Sequence, residues 1–262
     1  MVPTGKGEAR LPAGGVSLVD QGQDASRLAA YDRVCGFTLR DTVPPTWLHV
    51  LTFPLHVHLL GSPDSTVRLV GAVHVSNSMT LRRPVAASER LDITVRAENL
   101  RPHARGALLD LVGTIETAGE TVWEGVSTYL SSGARVAGEP VEIPRAPFVP
   151  ATPHATWRLG PDLGRRYRAV SHDPNPIHTS RVMARAFGFT RPLIHGMWTH
   201  AHALASLEGR LPEAFTTDVS FARPVLLPAK VGFTSRRTEL GWEAAVTNAD
   251  GSKPHLTMSV HE

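Results

Sequence analysis

The sequence predicts an α+β fold in which an antiparallel sheet wraps one long apolar helix, and it predicts that unit twice. Three observations carry the prediction. Met79–Leu100 aligns with Val219–Leu240 at a constant offset of 140 residues, with Arg83-Pro84-Val85 opposite Arg223-Pro224-Val225. Upstream, Tyr31 and Val34 mirror Tyr167 and Val170 at an offset of 136. Within each half a short helical segment precedes a longer apolar helix, and alternating strands follow. A period of this length is too long for a solenoid and reads as duplication of one small domain.

In the first half the long helix falls at about Pro45–Leu60, and the strand candidates are Leu91–Ala97, Ala107–Glu116 and Thr121–Leu130. In the second half the helix runs from about Gly196 to Glu208, nearly free of charge, followed by Glu243–Asn248 and Leu256–His261. A helix apolar on most sides is one that gets covered. Strand segments that alternate or run apolar, joined by links such as Ala118-Gly119-Glu120, argue for hairpins and so for antiparallel sheets. Pro140, Pro144, Pro147, Pro150 and Pro153 block both helix and ladder, which predicts an extended connector. The division expected is residues 1–139, a linker over 140–156, and residues 157–262. The stretch up to about Val16 is expected to be poorly ordered.

At 262 residues, 42% hydrophobic and 19% charged, the chain has ample material for a core. No apolar run approaches the roughly 20 residues of a membrane span. The single cysteine, Cys35, excludes an internal disulfide, and no hydrophobic leader is evident, so a cytoplasmic location is expected. The net charge of +3 is scattered, and Arg82–Arg83, Arg165–Arg166 and Arg236–Arg237 are the only basic doublets. That argues against nucleic acid. The mild positive balance would suit an anionic acyl carrier or a coenzyme A phosphate.

The densest chemistry lies in Tyr167–His200, where Asp173, Asn175 and His178 fall within D-P-N-P-I-H and His195-Gly196 opens the long helix. Hydration of a 2-enoyl thioester needs a base for water, a proton for C2 and donors for the thioester oxygen. Asp173 and His178 supply the first two capacities. The Gly196 N–H, at a helix start with no side chain in the way, supplies the third. Pro174 and Pro176 restrict the backbone around Asn175. Taken alone, the hexapeptide is also what an Asx turn before a helix looks like. A metal use of His195, His200 and His202 has no known spacing template here, and only His195 with His202 share a helix face.

These residues resemble the signature of the MaoC-like, (R)-specific enoyl-thioester hydratases, Y-x-x-x-S-G-D-x-N-P-I-H … G-F … P-I-x-H-G-M. The matches are Tyr167, Ser171, Asp173, Asn175, Pro176, Ile177, His178, Gly188-Phe189, Pro192 and His195-Gly196-Met197, with Phe221–Val225 beyond them. Over its full length the chain looks like the actinobacterial (3R)-hydroxyacyl-thioester dehydratases of fatty-acid elongation. The resemblance implies a double hotdog fold and a hydro-lyase with a catalytic second half. It makes Asp173 and His178 the catalytic pair and places the Gly196 N–H in the oxyanion hole. Asn175 would orient acid and water, and Ser171, His195 and Met197 would bind substrate. It implies a CoA or carrier-protein thioester as partner, no metal or redox cofactor, and a monomer of two hotdog halves or a homodimer of such chains.

Two departures stand out. His172 replaces the family's usual Gly and is expected to point outward. In the first half Phe53-Pro54-Leu55 is taken to stand where the second has His195-Gly196. A proline supplies no N–H, so the helix there would hold the acyl chain instead, with His49, His56 and His58 as core or rim residues. Two rival functions are thioester hydrolysis on the same fold, and a non-catalytic acyl-thioester binder or pairing subunit of a dehydratase.

Overall fold

A computed structural model of the chain describes residues 8–262 apart from 70, 144 and 146. The first half contains β1 (Val16–Gln21), α1 (Ala25–Cys35), α2 (Pro45–Gly61), β2 (Val73–Leu81), β3 (Leu91–His103), β4 (Gly106–Thr117) and β5 (Glu120–Ser132). The second contains β6 (Ala155–Leu159), α3 (Leu163–Ser171), a 3₁₀ turn (Pro176–His178), α4 (Arg181–Ala186), α5 (Gly196–Ala205), β7 (Phe215–Phe221), β8 (Ala229–Thr238), β9 (Gly241–Asn248) and β10 (Pro254–His261).

The five expected strands are present as β3, β4, β5, β9 and β10, and so are both long helices; the structure adds β2, β7 and β8 and a leading strand in each half, β1 or β6. The two expected sheets are one. All ten strands run β1-β3-β4-β5-β2-β7-β10-β9-β8-β6, so the halves occupy mirrored positions about the β2–β7 pair. That pair is antiparallel, and Ser78 lies opposite Asp218, its own counterpart 140 positions on. The local two-fold of the duplication therefore passes between them. Thr80 and Thr216 join their hydroxyls across the same seam at 2.9 Å. Helix α2 packs on β3, β4 and β5, and α5 packs on β9 and β10. Trp47, Leu48, Val50 and Leu60 of α2 and Ala201, Ala203 and Leu204 of α5 are buried, as expected of wrapped helices.

The hydrogen bonds also fix which residues of the two halves correspond. The Val43 N–H donates to the Val85 carbonyl at 2.9 Å, and the Ile194 N–H donates to the Val225 carbonyl at 3.0 Å. Val85 and Val225 are repeat partners, so Val43-Pro44-Pro45 is the counterpart of Ile194-His195-Gly196. Trp47 then answers Trp198, and His49 answers His200. This corrects the placement of Phe53-Pro54-Leu55, because Pro54 lies inside α2 rather than at its start. The offset is not constant there. Residues 36–44 separate α1 from α2, whereas residues 172–195 separate α3 from α5, and the added length carries the D-P-N-P-I-H segment and α4. The lack of an N–H donor is kept through other prolines, since Pro44 and Pro45 both have none at the first-half helix start.

The N-terminal stretch also differs from expectation. Its residues 1–7 lie outside the described part, but Ala9 is buried and its N–H donates to the Arg135 carbonyl at 2.7 Å. The Arg10 N–H donates to Thr66 Oγ1 at 2.7 Å, so this segment is tied down before β1 begins. Of the five connector prolines, Pro144 lies outside the described residues.

Candidate active site

Helices α1 and α3 are counterparts, and they meet through Tyr31 and Tyr167, whose rings lie 6.2 Å apart. His172 closes α3 in the left-handed region at φ +58, its N–H donating to the Arg168 carbonyl. That conformation accounts for a glycine being usual here, because a β-carbon is penalised in it. The His172 side chain is exposed, as expected. His172→Gly should therefore raise stability by about 1 kcal/mol without altering turnover, read as an increased denaturant midpoint at unchanged m.

After His172 the chain forms nested Asx turns. Asp173 Oδ1 accepts from the Asn175 N–H at 2.9 Å, and Asn175 Oδ1 accepts from the Ile177 N–H at 3.3 Å. Ser171 Oγ accepts from the Asp173 N–H at 3.3 Å. Pro174 and Pro176 have no N–H to compete for these acceptors, so the local sequence leaves few alternatives. Asn175 thus steadies the Asp173 carboxylate through its backbone, while its side-chain oxygen caps the 3₁₀ turn.

That turn delivers His178 to the base of the site, buried, with Nδ1 2.8 Å from the Leu193 carbonyl. A carbonyl only accepts, so Nδ1 carries the proton and Nε2 keeps a free lone pair. His195 caps α5, stacks on His178 at a ring separation of 3.6 Å, and has its Nε2 3.8 Å from Asp173 Oδ2. The Tyr167 ring lies 4.9 Å from that of His195. Both ring nitrogens of His195 are buried with no hydrogen-bond partner among the described residues.

Gly196 is the first residue of α5, where backbone N–H groups have no partner within the helix. A β-carbon there would meet Phe221 ring carbons at 2.9 and 3.0 Å. Met197 is buried beside it. Asp173, Asn175, His178, Gly196 and Met197 all line one cavity of about 500 Å³, together with His49, Phe53, Val57, His74 and Tyr129 from the first half. His74 links the halves, with its ring 4.4 Å from Tyr129 and 4.9 Å from Phe221.

Burial shapes the titration of the site. It pushes the Asp173 carboxyl up to about 6, against the opposing pull of the Asn175 N–H and the Arg168 charge. It pushes His178 down to about 4 despite the Leu193 carbonyl, and holds His195 well below the ordinary histidine value. At neutral pH the set is one carboxylate beside two neutral imidazoles.

The three histidines weighed as metal ligands on one helix do not converge. His200 bonds Thr217 at 3.1 Å and His202 bonds the Cys35 carbonyl at 2.7 Å. Asp173, His178 and His195 do converge, with ligand atoms within 4.8 Å of one another, and such an N/N/O set is able to hold a divalent cation. His49 and His56 are core residues, and His58 is exposed. Sequence reasoning missed the Leu193 carbonyl, His74, Tyr129 and the part played by Phe221, which reach the site from other segments of the chain. The Trp-x-His triplets at Trp47 and Trp198 were the signal that would have aligned the two helix starts.

The MaoC like domain matches residues 139–253. The chain is 39% identical over 253 residues to 3-hydroxyacyl-thioester dehydratase X of Mycobacterium tuberculosis, covering 96% of this chain and 90% of the relative. It belongs to the MaoC-like dehydratases. This is a family of hydro-lyases. The crystal structure of HtdX from the same organism matches with a TM-score of 0.85 at 36% identity, over 94% of this chain and 99% of that one. A MaoC-like dehydratase from Phytophthora capsici shares the fold at 16% identity, TM-score 0.72, over 96% of each chain. A Mycobacterium tuberculosis protein described as a double hotdog fold shares it at 14% identity and TM-score 0.54, over 98% of this chain and 95% of that one. The MaoC-like chain described here therefore has the double hotdog architecture, with its two sheets continuous.

Proposed function

We propose that this MaoC-like dehydratase reversibly adds water to trans-2-enoyl thioesters, giving (3R)-hydroxyacyl thioesters of CoA or an acyl carrier protein. The observation that carries this reading is the convergence of Asp173, His178 Nε2 and the start of α5 at Gly196 on one cavity. The (R) outcome rests on the resemblance to the (R)-specific hydratases.

In hydration, Asp173 and His178 Nε2 accept the two hydrogens of one water. As its oxygen bonds to C3, one of the two takes a proton and returns it to C2. Charge that builds on the thioester oxygen is met by the Gly196 N–H and the helix start behind it. Dehydration runs the same steps backward: the C2 proton is removed, the C3–O bond breaks, and the proton leaves with the hydroxyl as water. The cavity wall from the first half, with Phe53 and Val57, receives the acyl chain. No step in this scheme calls on a metal.

The test is the loss of enoyl-thioester absorbance when purified protein meets crotonyl-CoA, with the product's configuration determined. Release of free thiol in its place would make the protein a thioesterase; binding without either change would make it a binder.

The scheme starts from ionised Asp173 and neutral His178, which fixes the pH dependence. The Asp173 carboxyl, raised to about 6, must lose its proton. Accordingly kcat/KM should climb about tenfold per pH unit up to about 6 and then level, with a steeper fall below about 4 where His178 protonates. A rate that declines between pH 6 and 8 would instead require protonated Asp173 as the acid.

A further inference from the structure

The two halves differ in charge at one corresponding place, and in the second half that place is the cavity mouth. In the first half Arg83 is neutralised: its guanidinium donates to Glu89 at 2.9 and 3.1 Å and to Glu120 at 3.0 Å. The repeat puts Arg223 where the first half has Arg83, and Ala229 where it has Glu89. The sheet identifies the counterpart of Glu120. Leu81 pairs with Trp123 and Phe221 pairs with Leu256, while the Arg82 and Ala222 N–H groups each reach the same relative carbonyl, Val122 and His255, at 2.9 Å. Glu120 therefore corresponds to Lys253. Two carboxylates in one half have become a methyl group and an ammonium in the other.

Arg223 consequently makes no ion pair among the described residues; its guanidinium reaches only the Pro254 carbonyl, at 3.4 Å. It is exposed, yet it lines the same cavity as Asp173 and His178, which places it at the opening. Lys253 is exposed and adjoins Pro254 in the chain. A guanidinium already held by two carboxylates has no fork left for a ligand, whereas a free one offers paired donors suited to phosphate.

We infer that Arg223, assisted by Lys253, binds the phosphate of the substrate's pantetheine arm at the cavity mouth. This rests on the enoyl-thioester reading above. Coenzyme A and acyl carrier protein both present a phosphate at the end of that arm, so the chemistry is common to the two sources.

The experiment compares crotonyl-CoA with crotonyl-pantetheine, which lacks phosphate, on the full chain. Arg223→Gln should raise KM for crotonyl-CoA about tenfold at unchanged kcat and leave both constants for crotonyl-pantetheine alone. Ala229→Glu, which rebuilds the first-half ion pair, should have the same selective effect with the arginine still present. Equal losses on both substrates, or no loss on crotonyl-CoA and on a crotonyl-carrier substrate, would overturn the inference. A rise with only one of those two phosphorylated substrates supports it and identifies the source. If wild-type protein turns over none of the thioesters, the reaction reading fails by itself. The phosphate site is then judged by calorimetric binding of free CoA, where equal affinity for wild type and Arg223→Gln would overturn it.

Discussion

Asp173→Asn is expected to lower kcat by about 10³-fold or more while making the protein more stable. The two effects have one cause. The carboxylate is held in surroundings that disfavour its charge, so its proton is bound until about pH 6 instead of the ordinary 3.8. A raised carboxyl in the folded state means that the native protein binds more protons than the unfolded chain between those values. Stability contributed by protonation is present below pH 3.8 and is lost as pH rises through about 6, so at neutral pH the ionised group is a net cost. Asparagine keeps the shape and the Asn175 contact and removes the charge, which should gain about 2 kcal/mol at pH 7. It cannot take a proton from water, and loss of a positioned base accounts for about 10²–10⁴ in rate. Thermal unfolding and crotonyl-CoA turnover on the same preparation check both halves of this expectation. Near-normal turnover in a correctly folded variant would remove Asp173 from the chemistry.

Gly196→Ala is expected to lower kcat about 10²-fold through geometry alone. The new methyl would lie 2.9 Å from a Phe221 ring carbon, closer than side chains pack, so either the ring or the start of α5 must shift. Phe221 is itself packed against His74, with ring centroids 4.9 Å apart, which limits its retreat. A displacement near 1 Å of a donor aimed at developing charge costs about two orders of magnitude. Adding Phe221→Ala removes the obstruction and should restore most of the rate, a coupling that a double-mutant cycle measures. If Gly196→Ala alone kept wild-type kcat, the helix start would not be the oxyanion donor.

The sequence carried the repeat, both covered helices and the closeness of Asp173 to His178 because each is written locally. Asp173 and His178 lie within six residues, and the prolines between them leave the turn little choice. What pairs with that turn was not legible. The Leu193 carbonyl that fixes the His178 tautomer and the Phe221 ring that demands a glycine at 196 come from elsewhere in the chain. The fusion of two sheets into one was hidden for a similar reason. β2 and β7 alternate buried and polar positions in the usual way, and nothing in Ser76, Ser78 and Thr80 specifies Ser220, Asp218 and Thr216 as partners. The counterpart of His195-Gly196 was misplaced because the extra residues between α3 and α5 break the constant offset that located the other matches.

The continuous sheet has a mechanical consequence. Four strands flank the β2–β7 pair on either side, and the outermost strands are β1 and β6. The junction between the two repeats is thus the middle of the molecule rather than its fault line. Amide exchange should be slowest at Asn77–Met79 and Thr217–Val219 and fastest along β1 and β6, with opening that begins at the rims and reaches the seam last. Cutting the chain in the proline-rich connector would leave two pieces still laced together. Either half, expressed alone, would leave its innermost strand, β2 or β7, as an open edge.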